Sequence, residues 1–510
     1  MSDDALILKD GWVVTGDAAE TEWQRADVVI EAGRIEAIGP DAGEGYDGEV
    51  INAAGSVVMP GLINAHLHSN EAFQQGAYDN LPLEIWLGES YPPFGFPFLS
   101  ARDFYLRTML AAIESVRAGV TTVQDDYVHP PATPDAMDAA IRAYADIGLR
   151  AWVAVDMWDV PLLDCVPYAR DIIPAAERRE IDALPVADCA AQLELFRLQF
   201  DNWHGHDDRI RIIIAPCGPQ RCTIELMEAI NELSKLHDVP LHSHTLETRP
   251  QAVQAQDQWG KTAIEYLDDI GFLSSRLTIV HGIWLNDWDI GLLADNGCSV
   301  VHNPLSNLKL GSGICPVRKL RDAGINVALG TDGLATSDTA DLIQAIHAAS
   351  LIHKNPATHH DDWVSGGEVF RMATMGGAQS GMMEREVGSL ETGKRADVIL
   401  LDRDHWGFVP LTNPIRQLAF SVTSEAVRSV IVGGKLIMRD REIKTIDEDA
   451  LRSEIREAAD RYVRDFVPGM EVGARRLAPY FDEIYRRSNA AALEFGTTPA
   501  GSALRIGDPT

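Results

Sequence analysis

Two histidines one residue apart close the apolar run Val57-Val58-Met59-Pro60-Gly61-Leu62-Ile63-Asn64-Ala65-His66-Leu67-His68. Residues i and i+2 of a strand point to the same side, so His66 and His68 can aim both imidazoles at one point. That point is a candidate metal site. A lone His-x-His pair carries little weight by itself, since core or exposed histidines account for it equally well. The same design recurs downstream, where apolar segments end in His242, His244 and Glu247, in His281, in His302 and in Asp332. Imidazole and carboxylate suit a borderline divalent ion such as zinc or iron, and three or four of them leave a position for water. An ion held this way brings the pKa of its water toward neutrality, so the implied chemistry is hydrolysis.

Such residues need elements that bring their ends together. After the first apolar segment, strand-like stretches recur at residues 119–126, 149–156, 209–216, 239–247, 277–284, 298–304 and 326–333, with helical stretches between. The helix following the first strand shows the signals: Ser100 and Asp103 are spaced as a capping box, Tyr105, Met109, Ala112, Ile113 and Val116 mark one face, and Gly119 supplies the stop. Residues 223–237, 286–295 and 339–353 read the same way. Eight parallel strands with interposed helices predict an α/β fold, a (β/α)8 TIM barrel whose chemistry sits at the carboxyl ends of its strands.

Short alternating strands fill residues 5–55, with a hairpin at Ala32-Gly33, and resume at Ala396-Asp397-Val398-Ile399-Leu400-Leu401 and around Gly433-Gly434. The barrel is therefore expected as an insertion into a small β-sandwich made from both termini, with boundaries at 1–58, 59–384, 385–445 and 446–510. Residues 447–467 and 473–487 predict a helical C-terminal extension, and the tail from Ala490 reads as poorly ordered.

A formal charge of -32 repels phosphate backbones and anionic headgroups, so nucleic acid and membrane surfaces are poor partners and a small-molecule substrate is expected. Met1-Ser2-Asp3-Asp4 lacks a signal-peptide pattern and no run is long enough to span a bilayer, which predicts a cytoplasmic protein. The six cysteines form no Cys-x-x-Cys pair and are read as reduced, mostly buried thiols.

Pro60-Gly61-Leu62-Ile63-Asn64-Ala65-His66-Leu67-His68, His244-Thr245-Leu246-Glu247, Val280-His281-Gly282, the run from His302-Asn303-Pro304 to Gly313, and Gly330-Thr331-Asp332-Gly333 resemble the motifs of the amidohydrolase superfamily. More narrowly, they resemble its deaminase and triazine-hydrolase branch, which includes guanine, adenosylhomocysteine and triazine-degrading enzymes. The likeness runs from about residue 5 to residue 440. It implies that His66, His68, His244 and Asp332 are the metal ligands, with His281 coordinating or hydrogen-bonding the metal water. It further implies that Glu247 carries a proton to the substrate nitrogen, that Asp332 takes one from water, and that the protein is a homo-oligomer. Some superfamily members bridge two metals with a modified lysine at the end of strand four. Ile212-Ile213-Ile214-Ala215-Pro216-Cys217 offers none, so one divalent ion per chain, zinc ahead of iron, is expected.

The plainer readings assign His242 to the barrel interior, leave His302 divided between lining the pocket and fixing a turn, and give His129 and the remaining histidines surface or packing roles. The loop after the first strand holds Phe73, Tyr78, Trp86, Tyr91, Phe94, Phe96 and Phe98, and more than half of its rings are expected to form the loop's own core or an oligomer contact. Gln74, Trp86 and Trp158 are the candidate substrate contacts; no arginine stands out as one. The expected reaction replaces an exocyclic amine of a nitrogen heterocycle with hydroxyl; the alternatives are hydrolysis of an amide, urea or carbamate in an apolar compound and a non-catalytic scaffold. Replacing Trp158 with alanine should change KM or turnover, and unchanged values of both would remove it from the pocket.

Overall fold

The computed structural model describes residues 5–127, 133–186 and 188–495; His129 and the tail beyond residue 495 lie outside them. The chain opens with β1 (Ala5–Val14), β2 (Glu22–Glu31), β3 (Arg34–Gly39), β4 (Gly48–Asn52) and β5 (Ser56–Pro60). The barrel follows as β6 (Leu62–Leu67), β7 (Val120–Tyr127), β8 (Arg150–Met157), β9 (Ile210–Pro216), β10 (Leu241–Thr245), β11 (Leu277–His281), β12 (Ser299–His302) and β13 (Asn326–Leu329). β14 (Val398–Asp402), β15 (Val427–Val432), β16 (Lys435–Arg439) and β17 (Glu442–Ile443) return to the first sheet.

β6 to β13 pair in sequence order, each parallel to the next. Their residues are buried almost without exception, as strands covered by helices outside and by packed side chains inside must be. The seam between last and first strand is closed partly by a side chain. The Asn64 carboxamide donates to Thr331 Oγ1 at 2.8 Å and accepts from the Thr331 amide at 3.1 Å, while the Asp332 amide donates to the His66 carbonyl at 3.0 Å.

Several strands stop earlier than the sequence suggests, and at two of them the backbone gives the reason. Leu246, just after β10, and His281, the last residue of β11, take left-handed φ values of 54° and 71°; Asp332, three residues past β13, takes 73°.

The terminal strands form one mixed sheet in the order β17-β16-β15-β14-β5-β1-β2-β3, with β4 parallel to β1. Its two halves curl onto a shared core of Leu6, Leu8, Val28, Ile30, Val58, Val398 and Leu400, the sandwich-like unit expected from both ends of the chain. The predicted capping box on Ser100 and Asp103 starts the helix Ala101–Arg117. The C-terminal extension comprises helices Glu448–Asp465 and Val467–Ala490, the second running past its sequence pattern at both ends, where Met470 and Ser488 are buried. Residues 491–495 depart from the expected loose tail: the Ala491 carbonyl accepts from Arg249, that of Ala492 from Gln256 and that of Phe495 from Asn286.

Arg150 ties the two units together. It is 1% exposed and meets Asp397 with Nε and Nη2 at 2.9 and 3.0 Å. Arg150→Met would strand a buried carboxylate and is expected to lower stability by about 3–5 kcal/mol in urea unfolding. The double variant Arg150→Met/Asp397→Leu should recover most of that loss.

Candidate metal centre

The strand ends bring His66, His68, His244, His281, Glu247 and Asp332 together beneath the barrel mouth. The ligand atoms of His66, His68 and Asp332 lie within 4.8 Å of one another, as do those of His66, His244 and His281 and those of Glu247, His281 and Asp332. Three of the imidazoles are fixed from behind. His68 Nδ1 faces the Asp126 carbonyl at 2.6 Å, His244 Nδ1 the Cys217 carbonyl at 3.1 Å, and His281 Nδ1 the Asn307 Oδ1 at 2.9 Å. Since each partner is an acceptor, each Nδ1 carries the proton and each Nε2 presents a lone pair.

The lone pairs of His68 and His244 consequently meet at 3.2 Å, and Asp332 Oδ1 stands 3.4 Å from both His66 Nε2 and His68 Nε2. His66 is fully buried with neither ring nitrogen hydrogen-bonded. Converging imidazole nitrogens, an unpartnered imidazole and a carboxylate fit a divalent cation.

The protonation pattern agrees. Burial opposes charge on His68, yet Asp332, Glu71 and Asp126 raise its pKa to about 9, so in the absence of a cation Nε2 takes up a proton, and the spot demands positive charge. Burial lowers His66 to about 3 and drives His244 and His281 down as well. Burial opposes charge on Asp332, yet its carboxyl is held well below the usual carboxylate range by the close approach of His66 at 3.4 Å and by the charges of the surrounding imidazoles. Glu247 is pushed well above it by burial, with the charge of Asp332 adding to the effect. His281 Nε2 lies 3.7 Å from each of these two carboxyls.

A family model described as Amidohydrolase family matches residues 57–437. The chain belongs to this family. This amidohydrolase is 33% identical over 460 residues to a 5'-deoxyadenosine deaminase of Methanosarcina mazei, covering 90% of this chain and 98% of the relative. It is 34% identical to a 5-methylthioadenosine/S-adenosylhomocysteine deaminase of Syntrophobacter fumaroxidans, covering 88% and 97%. Among solved structures, a zinc-bound adenosine deaminase from Xanthomonas campestris superposes with a TM-score of 0.79 at 29% identity, covering 89% of this chain and 98% of that one. An atrazine chlorohydrolase from Arthrobacter aurescens complexed with zinc gives 0.79 at 25% identity, covering 89% and 100%. The amidohydrolase is a metal-dependent hydrolase of C–N bonds other than peptide bonds, and no helix among its described residues is long and apolar enough to cross a membrane.

Several expected substrate contacts are engaged elsewhere. The Gln74 amide donates to the Tyr462 hydroxyl at 2.8 Å and accepts from Ser90, so it braces the first loop against the C-terminal helices rather than meeting substrate. His302 turns outward, its Nε2 3.1 Å from that of His353. Trp86 is 3% exposed among Tyr78, Tyr91, Leu310 and Ala335, which makes it a core residue of the loop. Trp158 is half-buried, and its amide donates to Gln192. His242 lies in the interior with its ring centroid 5.1 Å from that of His66, and all six cysteines are free, five of them buried.

The amidohydrolase site also contains residues the sequence did not single out. Glu71, one turn past His68, accepts from the Tyr91 hydroxyl and the Ala335 amide, and burial lifts it to about 7. Its carboxylate packs so tightly that a Cβ at Gly333 would lie 1.9 Å from Oε2, which explains the glycine after Asp332. Asp125 accepts from the Ser69 amide and hydroxyl and so fixes the chain as it leaves His68. Glu84 accepts from Thr248 and is lifted to about 6 by burial; an acidic residue on the otherwise apolar Leu83-Glu84-Ile85-Trp86 was the available signal. His66→Ala and His244→Ala are each expected to weaken divalent-metal binding at least 100-fold, roughly the upper effect of losing an outer partner. Equilibrium dialysis with metal analysis reads this, and His302→Ala, which faces His353, should retain the ion.

Proposed function

We propose that this amidohydrolase deaminates a nitrogen heterocycle, replacing an exocyclic amine with oxygen and releasing ammonia, with one ion per chain, zinc ahead of iron, held by His66, His68, His244 and Asp332. The observation that carries the reading is the placement of two buried carboxyls in opposite environments, each 3.7 Å from His281 Nε2. Attack on a ring carbon bearing an amine needs one group to protonate the ring nitrogen and another to accept a proton from the incoming water. Glu247, kept protonated by burial and by the charge of Asp332, suits the first task. Asp332, kept ionised by the imidazoles, suits the second. His281, whose Nδ1 is anchored on Asn307, presents Nε2 between them and orients the nucleophile.

The bound ion supplies water acidic enough to ionise near neutral pH. The similarity to deoxyadenosine, methylthioadenosine and adenosine deaminases supports an aminopurine-type ring, and the atrazine chlorohydrolase neighbour puts aminotriazines on the same panel.

Ammonia release from metal-loaded protein across aminopurine nucleosides, aminopyrimidines, pterins and triazines tests the proposal, with aryl ureas and carbamates alongside. Glu247→Gln should lower ammonia release roughly 100- to 10,000-fold while metal content is unchanged. Amine release from ureas or carbamates alone would overturn the deaminase reading.

A further inference from the structure

The loop after β6 carries a short helix, Leu83–Ser90, that links several sides of the barrel mouth. Leu83 and Trp86 pack with Leu310 and Ala335, which follow β12 and β13, while Ile85 and Gly88 lie on the cluster of Leu477 and Phe481 from the second C-terminal helix. Glu84 falls between these two apolar faces and is 7% exposed. A carboxyl is costly in such surroundings unless a donor holds it. Among the described residues that donor is the Thr248 hydroxyl, which hydrogen-bonds to Oε1, while Oε2 is buried without a partner.

Thr248 directly follows Glu247, and its hydroxyl belongs to a chain of hydrogen bonds that starts on the backbone of the proton donor. The Glu247 amide donates to Gln251 Oε1 at 2.9 Å, the Gln251 amide to Thr248 Oγ1 at 3.4 Å, and the Thr248 hydroxyl to Glu84. The chain ends on Glu84. With a pKa lifted by burial to about 6, Glu84 is ionised at neutral pH and can only accept, which fixes the hydroxyl as donor and leaves its oxygen to cap the helix Arg249–Trp259. An apolar side chain in its place frees the hydroxyl to rotate and loosens that cap.

The turn needs such support. Leu246, immediately before Glu247, has a left-handed φ of 54°, and its carbonyl accepts from the Ile283 and Trp284 amides at 2.9 Å each. Those bonds hold the turn on the β11 side, and the chain through Gln251 and Thr248 to Glu84 holds it on the other. Between them the Glu247 carboxyl stands 3.7 Å from His281 Nε2.

We infer that Glu84 is a positioning residue: by fixing the Thr248 hydroxyl it holds the Glu247 carboxyl against His281, in the place from which a ring nitrogen is protonated. The task of Glu247 rests on the deaminase reading above; the hydrogen-bond chain does not. Because Glu84 rides on the helix that also brings Leu83 and Trp86 to the mouth, the segment that covers the centre also sets its proton donor.

The test measures ammonia release from the ring that wild type turns over fastest, using metal-loaded Glu84→Leu, Glu84→Gln, Thr248→Val, Thr248→Ser and the double variant Glu84→Leu/Thr248→Val, after metal content and melting temperature show intact protein. Glu84→Leu and Thr248→Val should each lower kcat roughly 10- to 100-fold and leave KM within about threefold, as a displaced proton donor requires. The double variant should lose no more than the worse single one, and Glu84→Gln and Thr248→Ser, which keep the hydrogen bond, should recover most of kcat. Losses that multiply in the double variant, a loss carried by KM, or unchanged kcat in both single variants would overturn the inference. If wild type releases ammonia from no ring, the deaminase reading fails and amide exchange decides the inference. The Glu247 and Gln251 amides should then exchange roughly tenfold faster in Glu84→Leu and Thr248→Val than in wild type, and equal rates would end it.

Discussion

The structure depends on holding like-natured groups against one another out of water. The lone pairs of His68 and His244 face each other at 3.2 Å, the buried His66 has no hydrogen-bonding partner, and Asp332 lies within 3.4 Å of two imidazoles. No flexible loop would keep such a set together. Backbone carbonyls at the ends of β7 and just past β9 fix His68 and His244, and each of those strands is pinned in turn by its neighbours on either side. The barrel's role is to make that crowding rigid, and a divalent ion is the charge that relieves it.

Rigidity also carries strain. Leu246, His281 and Asp332 occupy the left-handed region, where a non-glycine residue costs on the order of 1–3 kcal/mol. Leu246 directly follows the end of β10 and precedes Glu247, His281 is the last residue of β11, and Asp332 stands three residues past the end of β13. The same turns explain how Glu247 and Asp332 can sit on opposite sides of His281 with opposite protonation. Their environments, rather than their chemistry, separate an acid from a base.

The strands and the histidine-bearing motifs were legible in the sequence because both are local. Alternation and apolar runs report a strand wherever it ends up, and the ends of parallel barrel strands converge by topology alone. What could not be read was which side chains other elements would engage. Gln74 looked available to substrate until Tyr462, 388 positions away, bonded to it, and His302, divided by its sequence between the pocket and a turn, meets His353 instead. Glu71 failed for the opposite reason. It sits in a short turn without periodicity, and only the packing of Tyr91 and Ala335 gives it a place in the site.

The first loop and the C-terminal helices together determine where the centre is open. Gln74 and Ser90 lock onto each other and onto Tyr462, Trp86 fills the loop's core, and Gly473 admits the Phe94 carbonyl where a Cβ would lie 1.9 Å from it. With β6's side of the mouth covered in this way, His244 on β10, its side chain 15% exposed, is the ligand group nearest to solvent, while His66, Glu247, His281 and Asp332 are at most 5% exposed. The loop and the helices thus keep water from one side of the centre, and the chemistry is met by solvent at the end of β10.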